Sequence, residues 1–242
     1  MATKCSQCPL RRHSLFKPMN EQDVLAMQRF KVGELTIEAG TPVLIEGSNS
    51  PQLFTALRGM GLRYKTTMDG GRQVVNFVFP GDFIGLQAGV MGEMAHSVEA
   101  SSKMTLCVFN RSELWSFFKS HPERGFDITW LAAVEEHFLG EALTSIGQRS
   151  AFEALSWALL RTFVRAEAIG LVQNRRMNLP YRQQDLADAL GLSLVHTNKT
   201  LSKLRDQQLA DWSDGHLTIN DKVKLAEIAR VELDLVPRRP LM

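Results

Sequence analysis

Between residues 30 and 110 the chain carries eleven of its seventeen glycines, and the apolar stretches between them (42–45, 53–57, 74–79) are only four to six residues long. Short stretches with turns about every 8–12 residues argue against the alternating strands and crossover helices of a parallel α/β sheet. They suit an antiparallel sandwich or small barrel whose strands are separated by turns. Asp69-Gly70-Gly71 lies between two such stretches and is a hairpin signal, because glycine accepts the positive φ of a tight hairpin turn.

The pattern changes after residue 110. Leu114, Phe117 and Phe118 are spaced for a helix over 111–120. A longer helix is predicted over about 122–146, with Pro122 suited to its first turn. Leu131, Val134, Phe138, Ala142 and Ile146 fall on one face of it, and Trp130, Leu139 and Leu143 widen that face. The apolar arc is wide enough to cover the β-region and also to pair with another helix. A further helical pattern spans 151–169 and ends at Gly170. Beyond 177 the elements are short: helix 182–190, a turn at Gly191, helix 194–207, and two strands around Asp214-Gly215. A last helix over 221–232 precedes a frayed tail. Helix, glycine turn, helix and hairpin make a winged helix-turn-helix. The fold class is α+β.

The formal charge of the 242 residues is only +2, from 28 basic and 26 acidic side chains, which excludes a disordered polyelectrolyte or a basic tail. The balance hides a local excess. Residues 175–205 hold six basic side chains and two acidic ones, a net of +4, as phosphate neutralisation requires. Leu186, Ala187 and Leu190 supply a buried face, Gly191 the sharp turn, and Ser193 a cap for the second helix. Thr197, Leu201 and Leu204 then pack inward, leaving Val195, His196, Asn198, Lys199 and Lys203 outward. No apolar run approaches the roughly 18 residues of a membrane span. The polar N-terminus and three cysteines argue for a reducing cytoplasm. No nucleophile elbow, P-loop or dinucleotide fingerprint occurs, so an enzyme is not expected.

The chain resembles the Crp/Fnr family of bacterial transcription regulators. The likeness rests on Ala39-Gly40-Thr41-Pro42-Val43, Glu46-Gly47, Leu57-Arg58-Gly59, the run from Phe79 through Gly85, and the run from Leu179 through Ser193. It implies an N-terminal cyclic-nucleotide-binding-type β-roll, a long dimerisation helix and a C-terminal winged helix-turn-helix. The expected divisions are a cysteine-containing segment over 1–20, the roll over 21–120, the dimerisation helix over 121–148, the DNA-binding domain over 149–235 and a tail over 236–242. The resemblance implies a homodimer joined through Leu131, Val134, Phe138 and Ala142, binding a near-palindromic operator in double-stranded DNA and contacting RNA polymerase. Arg182, Gln183, Ser193, Val195, His196, Asn198, Lys199 and Lys203 are the expected DNA-binding residues. Val195, Asn198 and Lys199 stand where the family usually carries Glu, Ser and Arg, so the operator is expected to differ from the usual half-site.

Leu86 follows Gly85, and Ala95-His96-Ser97 stands where cyclic-AMP-binding relatives carry Arg-Ser. A buried phosphate without a cationic partner is costly, so cyclic AMP is not the expected ligand. Cys5, Cys8 and Cys107 match three of the four cysteines with which oxygen-sensing relatives hold an iron–sulfur cluster. The remaining position falls on Ser14, beside His13. Three thiolates and the His13 imidazole make one candidate ligand set for a cluster. A Cys5–Cys8 redox switch, a simple metal site and a vestigial pattern stand beside it. The rival from another class is a ligand- or redox-sensing protein whose winged helix contacts protein instead of DNA.

Overall fold

A computed structural model describes residues 2–233 and 236–242; residue 1 and residues 234–235, the ends of two expected segments, lie outside them. The chain divides into two compact units, Met1–Glu135 with Arg238–Met242, and Glu136–Pro237.

In the first unit, helix α1 (Glu21–Phe30) is started by a reciprocal cap. Asn20 accepts from the Asp23 N–H, while the Asp23 carboxylate accepts from the Asn20 N–H. Strands β1 (Lys31–Ile37), β2 (Pro42–Leu44), β3 (Gln52–Arg58), β4 (Gly61–Thr66), β5 (Arg72–Val78) and β6 (Phe83–Ile84) follow. After helix α2 (Leu86–Met91) come β7 (Ser97–Ala100), β8 (Met104–Asn110) and helix α3 (Leu114–Ser120). The strands form two antiparallel four-stranded sheets, ordered β1-β8-β3-β6 and β2-β7-β4-β5. The expected hairpin is β4–β5, with Gly70 at φ +85° in its turn.

The period-2 pattern of β8 decides what each face meets. Met104, Leu106 and Val108 enter the core between the sheets, together with Phe54, Val78, Ile84 and Val98. Phe109 points the other way, where Phe30 of α1 stacks on it at 4.8 Å and on Phe117 of α3 at 4.3 Å. Cys107 shares that outer face.

Helix α4 (Pro122–Gln148) runs for 27 residues. The second unit continues with α5 (Ala151–Ala168), opened by a Ser150–Glu153 capping box, then β9 (Arg176–Asn178), α6 (Gln183–Leu190) and α7 (Leu194–Asp206). Strands β10 (Ala210–Ser213) and β11 (His216–Ile219) and helix α8 (Lys222–Ala229) complete it. Its three-stranded sheet is ordered β10-β11-β9, so the brief extended piece near 177 is a third strand beside the wing. The last helix stops three residues before the expected end, because Arg230 turns left-handed at φ 54°. The tail is not frayed: Pro240, Leu241 and Met242 are buried in the first unit. Among the described residues no helix is long and apolar enough to cross a membrane.

Candidate nucleic-acid interface

Helix α6 ends at Gly191, whose φ of 66° lets its N–H reach back to the Ala187 carbonyl while the chain turns. Ala187 is fully buried, the small residue that close helix approach needs. Ser193 then caps α7, its hydroxyl accepting from the His196 N–H at 3.2 Å. Thr197, Thr200, Leu201 and Leu204 are the buried face of α7. Val195, Asn198, Lys199 and Ser202, at i, i+3, i+4 and i+7, form one exposed stripe, with Val195 79% exposed. This stripe carries amide, ammonium, hydroxyl and methyl groups on an α-helix, an element that a major groove admits.

Two of the expected DNA-binding cations, Arg182 and Lys203, are engaged inside the chain. The Arg182 guanidinium forks onto the buried Asp185, Nη2 to Oδ1 at 2.9 Å and Nε to Oδ2 at 3.3 Å, and the Arg182 N–H also donates to Oδ2 at 2.7 Å. Lys203 sits over the Phe152 ring, 4.4 Å from its centroid. Gln183 is half-buried at the first position of α6, and His196 is exposed with its carbonyl accepting from Thr200 at 2.8 Å. Sequence reasoning left Arg175 and Arg176 out of the site. Both are exposed, and Arg176 pairs with Thr218 on the wing strand β11. Their signal was the charge excess over 175–205, which includes them. The wing turns through Asp214 and Gly215, both at positive φ, and the Asp214 carbonyl meets His216 Nδ1 at 2.7 Å.

Of the four expected dimerisation residues one is buried and three are partly covered. Leu131 is buried in the first unit, while Val134 and Ala142 are half-covered. In the second unit Phe138 stacks on Trp157 at 6.1 Å, with the Arg161 guanidinium 5.5 Å from its ring. Near the start of α4 Phe126 is 67% exposed, and in its second-unit part the open apolar side chains lie one residue round the helix: Leu139 (44% exposed), Leu143 (71%) and Ile146 (43%). Their i, i+4, i+7 spacing makes them one face.

Cys8 acts electrostatically on both Cys5 and Cys107, so the three thiols lie near one another, with Lys31 acting on two of them. Cys5 lies in one 3₁₀ turn, and Cys8 separates it from a second, which ends at the half-buried His13. Cys107, on the outer face of β8, meets the Lys31 ammonium, itself pinned by Glu34 Oε1 at 2.7 Å and the Thr3 carbonyl at 2.8 Å. A lysine ammonium is a donor, not a ligand. Burial raises the Cys5 thiol above its ordinary range and pushes Cys107 up to about 11. Among the described residues no three His, Cys, Asp or Glu side chains are grouped to hold a metal ion. As placed here, the three thiols share their surroundings with the Lys31 ammonium.

Around His96 the cations are already paired. Arg63 Nη1 meets Glu135 at 3.0 Å and Nη2 donates to the Phe83 carbonyl at 3.1 Å, while Lys65 meets Glu46 at 2.9 Å and donates to the Ala95 carbonyl at 2.8 Å. The Ser97 hydroxyl accepts from the Glu46 N–H at 3.0 Å. Burial, reinforced by the Arg63 charge, pushes the His96 imidazole down to about 4 from 6.5. Between those values the unfolded chain binds the extra proton. His96 thus contributes stability fully above about pH 6.5 and loses it as pH falls towards 4, by up to about 3 kcal/mol. Urea unfolding at pH 7.0 and 4.5 should show this loss, and His96→Gln should remove that part of the slope. An equal slope in both proteins would dismiss His96 as its source.

Two domain families match the chain, the cyclic nucleotide-binding domain over residues 34–121 and the Crp-like helix-turn-helix domain over 154–228. The chain is 26% identical over 225 residues to the nitrogen fixation regulation protein FixK of Bradyrhizobium diazoefficiens, covering 93% of each. It is 24% identical over 235 residues to the transcriptional activator protein FnrL of Cereibacter sphaeroides, covering 96% of this chain and 94% of that one. The solved structure of FixK2 from Bradyrhizobium japonicum superposes with a TM-score of 0.73 at 23% identity, covering 81% of this chain and 96% of that one. With the roll, the long helix and the winged helix-turn-helix in that order, and regulators as its relatives along nearly its whole length, the chain belongs to the Crp/Fnr family of DNA-binding transcription regulators.

Proposed function

We propose that two copies of this chain pair along the open face of α4 and present one α7 each to successive major grooves of a near-palindromic operator. The observation that carries this reading is the Leu139, Leu143 and Ile146 face, three large apolar side chains left in water on one side of the second-unit part of α4. Such a face is covered most simply by its own copy, since a two-fold interface is self-complementary. Symmetric pairing then implies symmetric half-sites about one helical turn apart.

On α7, Asn198 suits an adenine edge, Lys199 a guanine edge or phosphate, and Val195 a thymine methyl. Ser193 and His196, at the start of the helix, and Gln183, Arg175 and Arg176 around it, suit the flanking backbone. We assign the sign of regulation to contact with RNA polymerase. The description of FnrL as a transcriptional activator favours activation here, and this work belongs in the cytoplasm, where the operator is. Cyclic AMP is left out of the reading because the cations near His96 already have carboxylate partners.

The test is selection of binding sites from a random duplex pool, followed by sedimentation of the protein on the selected fragment. Two chains per duplex on a site with inverted half-sites is the expected result. One chain per duplex on an asymmetric site would reject it.

A further inference from the structure

Residues 236–240 read Val-Pro-Arg-Arg-Pro, a segment in which two prolines exclude helix and favour an extended chain. The stretch 238–242 belongs to the first unit although the residues before it, Glu136–Pro237, make up the second. Its docking there is that of a bound peptide. Arg239 forms a parallel bridge with Phe16: its N–H donates to the Leu15 carbonyl at 2.8 Å and its carbonyl accepts from the Lys17 N–H at 2.9 Å. This is strand addition reduced to a single residue. The Arg239 guanidinium reaches Asp82 Oδ1 at 3.0 Å, and both side chains are largely withdrawn from water, at 15% and 5% exposure.

The receiving groove is built by the first unit's own turn chemistry. Asp82 Oδ2 accepts from the Phe79 N–H at 2.9 Å, so the carboxylate is aimed by its turn. Gly81 in the same turn has φ +92°, and a Cβ there would lie 2.3 Å from Phe16 Cζ, so the turn and Phe16 are pressed together. Beyond the ion pair, Leu241 and Met242 are buried and the Thr55 hydroxyl donates to the Met242 carbonyl at 2.6 Å. Main-chain pairing, a shielded charge and an apolar pair, in that order, make a sequence-selective peptide site.

The chain thus crosses between its two units twice, once within α4 and once before residue 238. A second crossing that is anchored only by noncovalent docking is a restraint that can be made and broken. We infer that residues 238–242 are a latch: docked in the Phe16–Thr55–Asp82 groove, they remove conformational freedom from the helix-turn-helix unit before DNA arrives. Less freedom is then surrendered on binding, and affinity rises. Docking and DNA binding are consequently coupled, and coupling is reciprocal. The inference rests on the operator-binding reading above.

The test uses the full-length chain and its Arg239→Ala and Leu241→Asp variants. Hydrogen exchange at the Arg239 and Lys17 amides reports docking without DNA, and titration of the selected operator fragment reports affinity. The expected result is protected amides in the parent chain, loss of that protection in both variants, and an operator Kd raised about fivefold or more. Adding operator to the parent chain should slow exchange at Arg239. Unprotected amides in the parent chain, or released amides with a Kd unchanged or tightened, would overturn the latch. A chain that docks its tail but binds no selected duplex would count instead against the interface on α7.

Discussion

On the proposed pairing, Leu143→Glu will turn a dimer into a monomer without unfolding the chain. Leu143 is 71% exposed on the α4 face that Leu139 and Ile146 complete, so the single chain loses almost nothing when it becomes charged. In a symmetric pair the same change presses two unpaired carboxylates into an apolar interface. Each such burial costs several kcal/mol, so the dimer dissociation constant should rise by roughly a hundredfold or more. Sedimentation equilibrium reads this directly, and operator affinity should fall with it, because each half-site would bind alone. Phe138→Glu separates the two faces of the helix. Phe138 is held between Trp157 and Arg161 inside the second unit, so its replacement should lower the unfolding midpoint. A Leu143→Glu protein that still sediments as a dimer would place the interface elsewhere.

Asn198→Ala and Lys199→Ala should each blur one position of the selected operator and cost about 1–3 kcal/mol there, because a side chain that no longer reaches a base edge no longer distinguishes one base from another. Both side chains stand on the exposed stripe of α7, above the buried Thr197 and Leu201, so neither change disturbs packing. Arg176→Ala, on the strand beside the wing, should weaken all sequences alike and flatten the salt dependence by about one unit. Lys203→Ala and Arg182→Ala belong to a third class. One removes a cation from above Phe152 and the other a fork from the buried Asp185, so both should lower stability as well as affinity. Repeated selection, with titrations at several salt concentrations, distinguishes these patterns. Unchanged operator preference in both Asn198→Ala and Lys199→Ala would remove α7 as the reader.

Local chemistry was legible wherever the outcome depended on neighbours in the chain. The spaced glycines with short apolar runs called for antiparallel strands, and Gly191 with Ser193 called for a turn and a capped helix. Thr197, Leu201 and Leu204 lie at the period that buries them on α7. The excess of charge over 175–205 marked the region of the proposed interface, although not Arg175 and Arg176 individually. A terminator such as Arg230 at φ 54° was beyond reach, since arginine carries no compositional signal for a left-handed turn.

What the amino-acid order determined alone was therefore the kind of elements, their succession and the polar face of α7, because caps, turns and periodicity act within a few residues. The tertiary structure decided how equivalent-looking groups are used. The wide apolar arc of α4 is divided by Trp157 and Arg161, which claim Phe138 and leave Leu143 open. Three cysteines spaced for a cluster are joined by a lysine ammonium, because β8 turns Cys107 towards Lys31. A tail rich in proline and arginine is seated by Asp82 and the carbonyl of Leu15, partners more than 150 residues away. In each case the deciding partner is distant in sequence, and only the folded packing brings its charge or surface within reach.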